Sequence, residues 1–330
     1  MMIAGLNAEE YAQQICAGNR RYLSRALSMA ESSKAEHKDF TAQLLSLLMP
    51  FTGKSRRICI TGTPGVGKST FIESFGLFAI DQGYSPAILA IDPSSASNGG
   101  SILGDKVRMP VLARNPKAYI RPSPSRGALG GVGNSTRESL LICEAAGFNL
   151  ILVETVGVGQ SEAEAHSMTD LFLLLLLPVS GDELQGIKRG IMEMADIIFI
   201  NKADKLAQEA STARMQIRSA LSLMHPYSKE WTIPILTGSG LSGMGLQELW
   251  IAMDQFFCAE RSVHYLQKRK EQQLEWFRKS LEINLLQKIY TMPAWQQLYA
   301  QAIENVKNAN QPASAAANDL IATFLSGFSR

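Results

Sequence analysis

Residues 62–70, Gly62-Thr63-Pro64-Gly65-Val66-Gly67-Lys68-Ser69-Thr70, combine the groups that triphosphate chemistry needs. Glycines let backbone N–H groups turn inward onto an anion, the lysine reaches the β- and γ-phosphates, and the serine hydroxyl ligates magnesium. Thr70 falls in the first turn of the following helix, where the helix dipole favours bound phosphate. Such a loop works only between a strand and a helix. Residues 57–61 (Arg-Ile-Cys-Ile-Thr) read as a short buried strand, and 69–80 have helical spacing with Phe71, Phe75 and Phe78 on one face. An ordinary glycine turn is the bland alternative, and this flanking order tells against it.

A second motif, Asn201-Lys202-Ala203-Asp204, follows the apolar run at 196–200, where open parallel sheets place ligand-contacting loops. An aspartate there accepts from both the ring N–H and the exocyclic amine of guanine, which adenine cannot match. Thr237-Gly238-Ser239, after the next apolar run, would offer backbone donors to the guanine O6. Together these predict GTP and GDP as ligands, held by residues 62–70, Gly157, Asn201, Lys202, Asp204, Thr237, Gly238 and Ser239.

Two acids end strand-like runs: Asp92 in Ile91-Asp92-Pro93-Ser94-Ser95, and Glu154 in Val153-Glu154-Thr155-Val156-Gly157. Adjacent parallel strands would set both carboxylates beside the magnesium and the γ-phosphate, as direct or water-mediated ligands with Ser69. Gly157 would offer its N–H to the γ-phosphate, so the loop carrying Gln160, Ser161 and Glu162 would sense that phosphate. Gln160 is the nearest candidate to orient the attacking water, and Lys68 and Glu154 complete the expected catalytic set. Ordinary GTP switches carry Asp-x-x-Gly where this chain has Glu154-Thr-Val-Gly157.

Apolar runs at 57–61, 87–91, 149–153, 171–177, 196–200 and 233–236 alternate with segments long enough for helices. That pattern predicts a mostly parallel, doubly wound α/β domain of the P-loop NTPase kind over 55–255. Residues 1–54 read as an N-terminal helical extension ending at Met49-Pro50. Residues 256–330 read as a C-terminal helical arm, interrupted at Pro293, with 308–318 as a polar connector and dimerisation as one use.

The 330 residues carry 32 basic and 30 acidic side chains for a net charge of +2, which argues against nucleic acid as a partner. Cys16, Cys59, Cys143 and Cys258 are scattered and read as reduced thiols. The run at 171–177 is too short to cross a membrane and suits a doubly buried strand. With no secretion pattern at the start, a cytoplasmic location is expected.

Taken together, Gly-Thr-Pro-Gly-Val-Gly-Lys-Ser-Thr (62–70), Ile-Asp-Pro-Ser-Ser (91–95), Gly-Gly-Ser-Ile-Leu-Gly-Asp-Lys (99–106), Glu-Thr-Val-Gly-Val-Gly-Gln-Ser-Glu (154–162) and Asn-Lys-Ala-Asp (201–204) closely resemble the MeaB/ArgK family of GTPases. The resemblance runs over nearly the whole chain. It implies a magnesium-dependent GTPase that acts as a homodimeric chaperone of an adenosylcobalamin-dependent acyl-CoA mutase, first of all methylmalonyl-CoA mutase, gating cofactor loading. It also implies that Asp105 joins Asp92 and Glu154 around magnesium, and that Gln185 and Lys188, in the loop 181–188, signal to the partner. Pro178-Val-Ser-Gly departs from a more glycine-rich family pattern, which bears on how far that loop moves. Two other functions stand beside this one. A metallochaperone GTPase is disfavoured because His37, His166, His225 and His264 are scattered. A phosphotransferase linked to lysine, arginine and ornithine transport fits Asn201–Asp204 less well than hydrolysis does.

Overall fold

The computed structural model describes residues 7–92, 108–124, 131–155, 157, 161–178, 189–223, 231–258 and 262–326. By chain contacts it divides into two compact units, Met1–Gln272 and Gln273–Arg330.

The first unit is built on a seven-stranded sheet: β1 (Arg56–Gly62), β2 (Pro86–Asp92), β3 (Tyr119–Pro124), β4 (Leu150–Glu154), β5 (Leu171–Leu176), β6 (Ile197–Ile200) and β7 (Ile235–Thr237). The order across the sheet is β3-β2-β4-β1-β5-β6-β7, and every pair runs parallel. From β1 the chain first builds outward on one side and returns as β4, then crosses to β5 on the other. The C-terminal end of β1 therefore lies at the crevice where such sheets bind ligands. Parallel strands need both faces apolar, and β5, Leu-Phe-Leu-Leu-Leu-Leu, is buried at every position.

The helices around the sheet are α1 (Ala8–Cys16), α2 (Arg20–Ala30), α3 (Ala35–Leu48), α4 (Lys68–Asp81), α5 (Pro110–Arg114), α6 (Gly131–Ala145), α7 (Ser161–His166), α8 (Arg189–Glu193), α9 (Ala207–Ser222) and α10 (Leu246–Phe256). Phe71, Ile72, Phe75 and Ala79 recur at helical spacing along α4 and pack on Ile58, Ile60, Leu173, Leu175 and Phe199, beneath Leu249, Trp250 and Met253 of α10. This face fixes α4, and hence Lys68 at its first position, against β1. The three N-terminal helices pack on α6. Glu31, capping the C-terminal end of α2, ties them to Arg121 of β3 through two hydrogen bonds, of 2.6 and 3.0 Å.

Strand β3 is the element absent from the sequence expectation. Its run Tyr-Ile-Arg-Pro-Ser-Pro holds two prolines, which cannot donate to a ladder and which a sheet tolerates at its edge. β3 is an edge strand, with Ala90 opposite Pro122 and Asp92 opposite Pro124.

Helix α11 (Ser262–Thr291) runs from the first unit into the second, which also holds α12 (Pro293–Lys307) and α13 (Ala313–Ser326). Pro293, expected as an interruption, occupies the first turn of α12, where its missing N–H costs nothing. The connector expected over 308–318 is shorter, because α13 begins at Ala313. Trp295 packs edge-on against Phe324, ring centroids 5.0 Å apart, which ties α12 to α13.

Candidate active site

Residues 62–70 join β1 to α4. At Gly62 the backbone approaches β5 so closely that a Cβ would lie 2.4 Å from the Leu175 carbonyl oxygen. Its φ of 153° is one that side-chain-bearing residues rarely adopt. The Lys68 ammonium donates to the Gly62 carbonyl at 2.8 Å and to that of Thr63 at 3.3 Å, so it lies curled over its own loop. Burial lowers its pKa, opposed by the charges of Glu154 and Glu162. A partly desolvated cation flanked by carboxylates is poised to exchange these partners for phosphate oxygens.

The Ser69 hydroxyl donates to Glu154 Oε1 at 3.0 Å. Glu154 closes β4, in register with Ile60 of β1 and Ala90 of β2, and is buried. Hydroxyl and carboxylate oxygens in contact at the start of α4 are the donor type that magnesium takes. Among the described residues no group of three or more His, Cys, Asp or Glu could hold a metal alone. Asp92 ends β2 beside β4. The Asp92 side chain, Asp105, Gln160, Gln185 and Lys188 lie outside the described residues.

Gly157 reaches back from β4 onto the same lysine. With φ 93°, a Cβ built on it would fall 2.0 Å from the Gly62 carbonyl oxygen and 2.9 Å from Lys68 Nζ. Behind it, the Thr155 hydroxyl donates to that of Thr61 at 2.7 Å in a buried pair, joining the ends of β4 and β1. No motif marks this pair in the sequence, whereas Glu162, expected within the phosphate-sensing loop, lies in the first turn of α7 and is almost wholly buried.

Residues 201–204 and the phosphate loop are tied together. Asn201 donates from Nδ2 to the Val66 carbonyl at 2.8 Å and accepts from the Gly240 N–H at Oδ1, 2.7 Å. Lys202, in the left-handed region at φ 61°, donates from Nζ to the Gly65 carbonyl at 2.8 Å. Both residues thus span the site by gripping the phosphate loop. Asp204 stands exposed in the turn that follows. Gly238 is anchored through its N–H to the Ile200 carbonyl and through its own carbonyl to the Ala203 N–H, each at 2.9 Å, which sets Thr237–Ser239 beside Asp204's turn. The buried Ser239 hydroxyl accepts from the N–H groups of Leu241 and Ser242 and shapes the loop.

Arginines, acids and an amide organise the opposite ends of the strands. Glu144 accepts a two-point contact from Arg57, each bond 2.8 Å; burial pushes its pKa up, but Arg57, Ser55 and the Gly53 N–H outweigh this and hold it low. Asp170, fully buried, accepts from Arg269 at 2.6 Å on each oxygen.

Known proteins place this arrangement. A Caulobacter vibrioides protein is 45% identical, covering 98% of this chain and 99% of its own. The GTPase ArgK of Escherichia coli is 43% identical over 93% of each. The mitochondrial methylmalonic aciduria type A homolog of Mus musculus is 41% identical, covering 84% of this chain and 70% of its own. A crystal structure described as a LAO/AO transport system kinase superposes with a TM-score of 0.75 at 36% identity, covering 98% of this chain and all of its own. Residues 23–294 match the family described as methylmalonyl Co-A mutase-associated GTPase MeaB, and the chain belongs to that family.

Proposed function

We propose that this GTPase of the MeaB family uses the site at Lys68, Ser69 and Glu154 to hydrolyse magnesium-bound GTP, and so gates loading of adenosylcobalamin into an acyl-CoA mutase. The observation that carries the nucleotide chemistry is the convergence on one loop: Lys68 and Gly157 meet at Gly62, while Asn201 and Lys202 grip Val66 and Gly65. Phosphate sensing and base recognition are thereby mechanically one unit. Water attacks the γ-phosphorus, the bond to the β-bridging oxygen breaks, and GDP and phosphate leave. Lys68 stabilises charge on the β- and γ-oxygens, and the Gly157 N–H faces the γ-phosphate. Ser69, Glu154 and Asp92, with Asp105, hold magnesium, which when bound neutralises phosphate charge. Asp204 reads the guanine, with backbone groups of Thr237–Ser239 at O6. Gln160 orients the attacking water, and Gln185 and Lys188 carry the signal to the client.

Membership of a mutase-associated family and the likeness to the methylmalonic aciduria type A homolog support methylmalonyl-CoA mutase as the client. No helix among the described residues is long and apolar enough to cross a membrane. The acting form is proposed to be a homodimer. In the second unit Leu274, Phe277, Leu281 and Leu285 recur at spacings of three and four along α11, each more than half exposed, and a second copy would cover them.

The test is phosphate release from GTP by the purified chain, alone and with the mutase, with ATP as control and Lys68→Ala as the inactive reference. GTP-specific release stimulated by the mutase is expected. Transfer of phosphate to an acceptor in place of release would overturn hydrolysis in favour of the phosphotransferase reading that the likeness to a LAO/AO transport system kinase raises.

A further inference from the structure

The ends of β1 and β4 carry a polar contact that packing alone does not require. Thr61 and Thr155 follow directly on the ladder pair Ile60 and Glu154, and both are 1% exposed. The Thr155 hydroxyl donates to the Thr61 hydroxyl at 2.7 Å, while the Thr155 N–H still donates to the Ile60 carbonyl at 3.2 Å. Two valines would fill the same space with no polar atom to satisfy. What the hydroxyls supply is closeness. Oxygens sharing a hydrogen sit about 2.5–3.0 Å apart and carbon atoms about 3.5–4.0 Å, so a methyl in place of either hydroxyl would hold the strand ends roughly 1 Å further apart.

That distance matters because no slack remains beyond the pair. One residue past Thr61 is Gly62, whose carbonyl accepts from the Lys68 ammonium at 2.8 Å. Two residues past Thr155 is Gly157, where a Cβ would fall 2.0 Å from that same carbonyl oxygen and 2.9 Å from Lys68 Nζ. The backbones at 62 and 157 thus meet in direct contact at the lysine, just beyond the hydroxyl bond. Side chains alternate across a strand. Ile60 packs on α4 and Glu154 meets Ser69 at its start, so Thr61 and Thr155, one residue on, belong to the opposite face, away from the oxygens that suit magnesium.

We propose that Thr155 and Thr61 are positioning residues for GTP hydrolysis: their hydroxyl pair holds the two strand ends close enough for Gly157 to lie on Gly62 and Lys68, where its N–H meets the γ-phosphate. This rests on the reading of Gly157 as a γ-phosphate donor. The contribution is then specific to the triphosphate, because GDP has no γ-phosphate for Gly157 to meet.

The experiment uses the full-length protein, Thr155→Val, Thr61→Val, the double valine variant and Thr155→Ser. Affinities for GDP and for a non-hydrolysable GTP analogue are measured with kcat, KM and the melting temperature. Each single valine leaves one buried hydroxyl unpaired and should melt lower, whereas the double variant removes both and should regain most of that loss. Hydrolysis should not follow the melting temperature. All three valine variants are expected to keep GDP affinity nearly unaltered, to bind the analogue about fivefold or more weakly, and to lose kcat about 100-fold, the scale of a misplacement of about 1 Å. Thr155→Ser, which keeps the hydroxyl and loses a methyl, should recover most of the kcat. A double variant whose kcat returns with its melting temperature would show a merely structural pair and overturn the proposal, as would equal losses for GDP and the analogue, or full hydrolysis in Thr155→Val. Should the single variants not fold, the double variant and Thr155→Ser decide by the same criteria. Failure of the unsubstituted protein to bind the GTP analogue would instead overturn the GTP reading, and the positioning role with it.

Discussion

Gly157 lies against Lys68 with no room for a side chain: a Cβ on the glycine would come within 2.9 Å of the lysine ammonium and 2.0 Å of the Gly62 carbonyl that the ammonium already contacts. The residue that would feel the γ-phosphate and the residue that would hold it are therefore packed on one another.

Gly157→Ala should separate them. The added methyl meets backbone at Gly62, which cannot swing aside as a side chain would, and φ 93° is strained for alanine. The loop must then retreat from Lys68, so GTP hydrolysis is expected to fall about 100-fold or more, the scale of losing one oriented donor. GDP affinity should change only a few-fold. Steady-state phosphate release beside GDP titration checks this, and unchanged hydrolysis would remove Gly157 from the mechanism.

Asp204→Asn tests the base. On the proposed reading the carboxylate would accept two hydrogen bonds from guanine, and bonds to a charged group are worth about 1.5–3 kcal/mol, or roughly 10- to 100-fold in affinity. The variant should lose about that much affinity for GTP and gain xanthosine triphosphate, whose C2 carbonyl oxygen accepts from the new amide. Asn201→Asp should behave differently: its amide bridges Val66 and Gly240, so its loss is expected to loosen the phosphate loop and weaken all nucleotides alike. Unaltered preference between the two triphosphates in Asp204→Asn would sink the assignment.

Where these residues stood legible in the sequence, the reason is local. Lys68 sits in a fixed spacing between a strand and a helix, and β5 declares itself by six consecutive apolar residues. β3 does not, because Pro122 and Pro124 disguise an edge strand. The ties that organise the site are long-range and leave no periodic trace: Asn201 meets a carbonyl 135 positions away, and Arg269 meets Asp170 across 99. Asp105 was visible only through family resemblance, since nothing in its own neighbourhood marks a metal ligand. Glu162, expected in the loop after Gly157, lies instead in the first turn of α7 and is buried, where α7 packs against β1.

His166, at the end of α7, makes the fold sensitive to acid. Burial, and then the charge of Lys268, lowers its pKa from 6.5 to about 4. The folded state therefore disfavours the imidazolium, while the unfolded chain binds its proton near 6.5. The stability is fully present above 6.5 and is lost as pH falls toward 4, by up to about 3 kcal/mol at 1.36 kcal/mol per unit. Thermal melts from pH 7 to 4.5 should show the decline, and His166→Asn, with no proton to gain, should flatten it. A slope identical in both proteins would assign the acid sensitivity elsewhere.

The exposed stripe on α11 gives the last test. Leu274, Phe277, Leu281 and Leu285 are between 54% and 64% exposed, an apolar row that a stable monomer rarely leaves bare along one helix face. If a second copy covers it, each buried side chain contributes about 1.5–3 kcal/mol to association. Phe277→Glu with Leu281→Glu should then place like charges on both sides of a two-fold interface and shift sedimentation from dimer to monomer at micromolar concentration. Lys68 and Asp204 belong to the first unit, so GTP affinity should survive the change. A charged variant that still sediments as a dimer would show that the row serves another partner, and a single species at monomer mass before substitution would dismiss the homodimer altogether.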